Sequence, residues 1–206
     1  METIAEMFNY TFMIRALIVG GLVSFCASLL GVPLVLKKYS MIGDGLSHVG
    51  FGALAIATAM NAAPMKIAIP VVVLAAIVLL RVSENSKLKG DAAIAVISTG
   101  ALAVGVVIMS FGKGSNIDIY NYMFGSILAL SSSDVLISVI LSVVVIIMYV
   151  FFYVKIFAVT FDESFSKATG IKTGIYNTLM AILTALTIVL GMRLMGSLLI
   201  SALIIF

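Results

Sequence analysis

Stretches of about twenty apolar residues follow one another along the chain, at roughly 16–36, 44–61, 65–81, 92–111, 135–155 and 174–192, with a last one opening near 194. That recurrence constrains the fold more than any motif does. A bilayer core of about 30 Å is crossed by about 20 residues of helix, and the runs show none of the two-residue alternation of a half-buried strand. Composition excludes a water-facing fold: 63% of the 206 residues are hydrophobic, 10% are charged, and the mean hydropathy is +1.27. The expected fold is therefore all-α, a polytopic transmembrane helix bundle forming one domain over residues 1–206. Because the chain stops inside the apolar run "SALIIF", that domain is expected to be cut short at its C-terminus.

The segments between the runs are short: "KKYSMIGD", "NAAPMK", "RVSENSKLKGD", "GKGSNIDIYN" and "FDESFSKATGIKT". Short loops follow the positive-inside bias. With "KKYS" on the cytoplasmic side, alternation places Lys37, Lys38, Arg81, Lys87, Lys89, Lys155, Lys167 and Lys172 inside, against Arg15, Lys66, Lys113 and Arg193 outside. This holds if "YMFGSILAL" (122–130) does not cross. A helix of that length covers less than half a bilayer, so the piece, which contains Phe124, Gly125 and Ser126, is expected to be a re-entrant half-helix. Such backbone survives at membrane depth only when it is buried in protein or lines a cavity, which makes those three residues candidates for a pathway.

A net charge of +3 reports orientation at a membrane surface and gives no reason to expect a nucleic-acid partner. Cys26 is the sole cysteine, so this chain alone forms neither a disulfide framework nor a thiolate metal cluster. It is expected to pack. The first run lacks a small-x-small cleavage site and reads as a retained helix. Glycine and alanine in "GFGALAIA" (50–57) and "TGALAVG" (99–105) are expected to let helices approach closely.

"IGDGLSHVG" (42–50) sets Asp44 and the chain's only histidine, His48, four residues apart. On a helix that spacing puts both side chains on one face, about 6 Å apart. One carboxylate oxygen and one imidazole nitrogen suit manganese, zinc or ferrous iron, and not cuprous copper, which prefers sulfur. Two ligands are too few for a tight site, but a symmetric dimer meeting across this helix would supply two of each. The same residues also read as a helix start, with Asp44 capping free amides and His48 bonded to it. Ionisable residues within a span are functional by default, yet spacing leaves both readings open. A second unusual stretch, "FDESFSKATG" (161–170), is a short amphipathic segment on the inner face. Phe161, Phe165 and Ala168 are expected on one side and Asp162, Glu163, Ser166 and Lys167 on the other, with Gly170 as a stop. It reads equally as a solvated loop helix or as a docking helix for a soluble partner.

Several blocks, in order, resemble the membrane subunit of the zinc and manganese ABC importer family: "GVPLVLKKYSMIGDGLSHVGFGALA" (31–55), "GDAAIAVISTGALAVGVV" (90–107), "YMFGSILALSSSD" (122–134), "FDESFSKATGI" (161–171) and "MGSLLISALII" (195–205). The resemblance implies a fold similar to that of the vitamin B12 type (type II) importer permeases, with a re-entrant half-helix and a cytoplasmic coupling helix. It implies a pore built with a second copy or a homologous permease, a cytoplasmic ABC ATPase dimer that binds the ATP, and an extracytoplasmic metal-binding protein. The family's Asp-x-x-x-His motif falls on Asp44 and His48, which it makes pore ligands for the transported ion. Its coupling helix falls on Phe161, Asp162, Glu163, Ser164, Phe165, Ala168 and Gly170. No permanently bound cofactor is implied; the cargo is a divalent metal, manganese or zinc foremost, and the location is the cytoplasmic membrane of a prokaryote. The family pattern continues beyond "SALII" with further spans.

Nothing in the chain matches a GxxxxGK[ST] phosphate loop, so ATP hydrolysis is expected on a separate subunit and this chain is expected not to be an enzyme. The alternative is a gradient-driven secondary divalent-cation transporter, in which half-helices and intramembrane carboxylates also occur. No second in-span acid or internal repeat supports it. A membrane hydrolase is disfavoured because Ser47 and His48, as neighbours on a helix, point to different faces.

Overall fold

The computed structural model describes residues 10–85, 90–111, 116–126 and 131–205. Lys87, Lys89 and Lys113, used above to orient the chain, lie outside them, as do residues 127–130 of the expected half-helix. Among the described residues every regular element is an α-helix: α1 Thr11–Leu36, α2 Ser40–Ala59, α3 Pro64–Asn85, α4 Gly90–Phe111, α5 Asn116–Phe124, α6 Ser132–Phe161, α7 Glu163–Ala168 and α8 Thr173–Ile205. Five of these, α1, α3, α4, α6 and α8, are long and apolar enough to cross a membrane. The expected runs at 16–36, 65–81, 92–111, 135–155 and 174–192 fall in these five, with α6 running six residues further than the apolar count suggested; the run at 44–61 is α2, which is not among them, and the run opening near 194 belongs to α8.

α2 runs through the interior of the bundle, as does much of α8. It packs against α3, α4 and α8, and 12 of its 20 residues are buried. Its contact with α4 is set by glycine: a Cβ on Gly52 would lie 2.8 Å from the Ala101 carbonyl oxygen, and one on Gly105 would lie 2.9 Å from Gly52 Cα. Backbones this close gain dispersion and Cα–H contacts where lipid offers no hydrophobic drive between helices.

Two connections turn through Schellman caps in which non-glycine residues take the left-handed position. After α1, Lys38 (φ 60°) occupies it, with the Tyr39 N–H donating to the Leu34 carbonyl and the Lys38 N–H to that of Val35. After α2, Asn61 (φ 52°) does the same. A lysine there costs about 1–2 kcal/mol that glycine would not, so surrounding contacts must hold the α1–α2 turn.

α8 is broken at Gly196 (φ 82°, ψ 163°). Beyond it the chain doubles back: a Cβ on Gly191 would meet the side chain of Ile200 at 2.3 Å, and the Ile204 carbonyl lies against Gly31 of α1. In an unbroken helix residues 191 and 200 would be about 13 Å apart along the axis. α5 is seated against this break. Gly125 (φ 80°) and Gly196 face each other backbone to backbone, so that a Cβ on Gly196 would fall 2.2 Å from the Met123 carbonyl oxygen. Among the described residues the short helix spans Asn116–Phe124, and Gly125 in the left-handed region ends it, so that of the expected half-helix residues 122–124 are helical and 125–126 are not. The end of the bundle holding α5 is further tied by Arg193 and Asp134, 2.9 Å apart and both largely buried. Arg193 also donates to the Tyr122 hydroxyl at 3.4 Å, which shares a hydrogen bond with Thr58 at 3.1 Å. Asp134 completes a capping box with Ser131 at the start of α6.

Gly52→Ala is expected to lower the thermal stability of the purified protein by overpacking the α2–α4 contact, at a cost of about 1–3 kcal/mol. Gly100→Ala on α4, where an added Cβ meets nothing within 4 Å, is expected to leave it unchanged or raise it. Equal shifts for the two variants in detergent melting curves would contradict the crossing geometry.

Candidate functional site

Asp44 stands on the second turn of α2 and His48 at the start of the third, about 6 and 12 Å along the axis from Ser40. The cap reading of Asp44 fails. α2 begins at Ser40 after Tyr39, no acidic residue occupies its first turn, and Asp44 lies past the four amides a cap could serve. The pair instead shares a face as the spacing predicts, with His48 Nε2 3.5 Å from Asp44 Oδ2. That distance is longer than a good hydrogen bond, so the carboxylate keeps lone pairs for another partner. The Asp44 side chain is 40% exposed and that of His48 17%. His48 Nδ1 is buried with no hydrogen-bond partner among the described residues.

A third group joins them from an element the sequence did not connect to α2. The Ser201 hydroxyl, on the returning half of α8, lies near the Asp44 carboxylate, with its proton donated to the Leu198 carbonyl at 3.1 Å. The break at Gly196 makes this contact, because only a chain that turns back brings residue 201 level with residue 44. Among the described residues no three His, Cys, Asp or Glu side chains gather in one place. One chain therefore offers one carboxylate, one imidazole and one hydroxyl, an oxygen and nitrogen set short of a full shell for any divalent transition metal.

At the basic end, Asp162 caps α7, accepting from the Phe165 N–H at 2.8 Å. Gly170 takes the left-handed position of the closing Schellman turn, at φ 85°. Phe161 belongs to the last turn of α6, where its ring lies 4.4 Å from that of Phe157. Phe161, Ser164, Phe165, Ala168 and Gly170 are all exposed, an apolar and small surface at the end of the bundle. Ser166 departs from the expected polar face: it is buried against the bundle. Glu163 turns inward. Its carboxylate accepts from Lys37 and Lys167, each at 2.9 Å, and from the Thr173 hydroxyl at 3.3 Å.

The pathway candidates sit at the opposite end. Phe124 is exposed, and Gly125 and Ser126 are part-buried at the α8 break. Asp44 and His48 lie between these and α7, so the sequence-predicted residues fall into three levels and not one cluster. Sequence reasoning missed Ser201 and the pairing of Arg193 with Asp134. A lone arginine inside an apolar run was the available signal for the second.

A helical bundle with several helices long and apolar enough to cross a membrane, and a carboxylate and an imidazole side by side on a helix enclosed by three others, defines the class as a multi-pass membrane protein. The chain belongs to the ABC 3 transport family, whose model matches residues 9–206. It is 28% identical over 134 residues to the manganese transport system membrane protein MntC of Halalkalibacterium halodurans, covering 65% of this chain and 46% of the relative. Against the chelated iron transport system membrane protein YfeC of Yersinia pestis it is 32% identical over 136 residues, covering 66% and 46%. The chain thus aligns with about half the length of these curated relatives. Among solved structures, PsaBC from Streptococcus pneumoniae in complex with Fab is similar at a TM-score of 0.85 and 30% identity, over 98% of this chain and 74% of that one. An inward-facing metal-chelate type ABC transporter shares the fold at a TM-score of 0.73, with 13% identity over 89% and 63%. The all-helical bundle, similar in fold to these two structures, is as the sequence led one to expect, and the protein is a multi-pass protein of the plasma membrane.

Burial alone would raise the pKa of Glu163, but the hydrogen bonds from Lys167 and Lys37 outweigh it and hold the carboxylate at about 2, below its ordinary 4.5. A depressed carboxylate stabilises the fold above the unfolded value, and that contribution is lost as pH falls towards the folded one. The stability gap between wild type and Glu163→Gln is therefore expected to be constant above about pH 5 and to close between about pH 4.5 and 2. Melting curves across that range check it; a gap that widens in acid would contradict it.

Proposed function

We propose that this chain is the membrane-spanning part of an ATP-driven importer that moves a divalent transition metal into the cell, with Asp44 and His48 as ligands on the ion's path. One observation carries the proposal: in a chain of the ABC 3 transport family, a helix enclosed by α3, α4 and α8 places a carboxylate and an imidazole side by side with coordination to spare. The basic end, with Lys37, Lys38 and α7, faces the cytoplasm by the positive-inside rule. The exposed Phe161 and Phe165 surface there docks a separate ATPase dimer, which binds and hydrolyses the ATP. An extracytoplasmic metal-binding protein delivers the ion at the α5 end, where Phe124, Gly125 and Ser126 border the entry.

A second copy, or a homologous permease, completes the ligand shell. Two carboxylates and two imidazoles from two chains make four ligands, enough for a tetrahedral or incomplete octahedral site. The 40% exposure of Asp44 on an otherwise enclosed helix supports this, since a ligand closed off within one chain could not reach a partner. Manganese, ferrous iron and zinc all suit the donor set, and the manganese and iron named for the relatives fall within it.

His48→Ala and Asp44→Ala, made in the full-length permease with its ATPase and binding protein in proteoliposomes, are each expected to cut ATP-dependent manganese uptake by about 100-fold while the complex still assembles. Asp44→Asn keeps an oxygen but loses the charge and is expected to fail as well. Uptake that proceeds without ATP and collapses with the proton gradient would overturn the importer and favour a secondary transporter.

A further inference from the structure

Lys37 ends α1 with its side chain only 6% exposed, an unusual state for a lysine at a membrane surface. Its ammonium donates to Glu163 Oε2 at 2.9 Å and to Asn177 Oδ1 in the first turns of α8. Asn177 in turn donates to Glu84 Oε1 at the end of α3, at 3.1 Å. Tyr39 lies near Glu84, and the Lys37 ammonium stands 5.6 Å from the centre of its ring. One cation thus joins α7 and α8 to the three-residue turn that starts α2, and the ends of α1 and α3 close the ring.

The turn is short and stiff. Lys38 holds its left-handed conformation within the Schellman hydrogen bonds, and α2 follows at once with Asp44 one turn in. A segment moved at Lys37 therefore moves the start of α2 with it. An ammonium stripped of water does not release its acceptors without replacements, so Glu163 and Asn177 cannot shift while Lys37 stays. The neighbouring Lys167–Glu163 pair is largely solvated and lies within α7 itself, so it transmits nothing between elements.

We propose that Lys37 is a positioning residue for transport: the link through which displacement of α7 is carried into α2 and so into the Asp44/His48 layer. This rests on the reading of α7 as the ATPase-docking element. Such a link earns the name only through a measured coupling between the two ends.

The test uses the full-length permease with its ATPase and binding protein in proteoliposomes, measuring manganese uptake and ATP hydrolysis in the same vesicles. The readout is ions moved per ATP. A merely structural defect lowers both rates together and leaves that ratio unmoved. Lys37→Met, which keeps the stem and removes the charge, is expected to lower the ratio about tenfold, Glu163→Gln about threefold, and Lys37→Arg less than either. Lys38→Met removes the same charge one residue further on and is expected to stay within about twofold of wild type. A Lys37→Met ratio within about twofold of wild type, or an equal loss in Lys38→Met, overturns the proposal. Should Lys37→Met fail to assemble, an unchanged ratio in Glu163→Gln overturns it on its own. Wild-type uptake that ignores ATP would instead sink the importer reading beneath it, and shows before any variant is compared.

Discussion

A carboxylate and an imidazole stand at membrane depth only where protein takes the place of lipid around them. In this bundle that constraint falls on α2. It is absent from the five helices apolar enough to cross alone, and it holds its place because α3, α4 and α8 enclose it. Enclosure in turn needs close approach, which is why glycines meet backbone at Gly52 and Gly105. The more apolar α4 and α6 carry the lipid-facing surface, with only 22% of their most apolar windows buried. The polar pair thus dictates which helices are small-faced and which are greasy.

Two buried charge clusters bracket that helix. Arg193 and Asp134 hold α5, α6 and α8 together at one end, and Lys37 with Glu163 and Asn177 joins α1, α7 and α8 at the other. Ion pairs taken out of water add little net stability compared with an apolar core, but losing one partner is expensive. They fix an arrangement more than they strengthen it. In the proposed importer, connections of that kind at both ends would keep the helices in register between two arrangements, with the helix that carries Asp44 and His48 lying between them.

How much of this the sequence disclosed depends on the range of each interaction. The Asp44/His48 pair was legible because four-residue spacing on a helix is a local rule, and the helix formed as the apolar pattern required. Asp162 and Gly170 bounded α7 by equally local cap chemistry. Ser201 was illegible: "MGSLLISALII" reads as one apolar run, and only the left-handed backbone at Gly196 folds it back to Asp44. The end of α5 at Phe124 has the same origin, since a glycine inside an apolar run looks like a packing residue until its φ is known. Lys37 counted towards topology alone, because its acceptor Glu163 lies 126 residues along the chain and no periodicity encodes that contact. Ser166 looked like part of a solvated face because six residues of helix are too few to fix which side meets the bundle.

The central claim, that the imidazole on α2 is a ligand to the transported ion, is tested most directly by electron spin-echo envelope modulation of manganese bound to the purified full-length permease complex. The account predicts nitrogen modulation from a coordinated imidazole in wild type and its loss in His48→Ala. An all-oxygen signal in wild type, or nitrogen coupling that survives in His48→Ala, would place the ion elsewhere and contradict it.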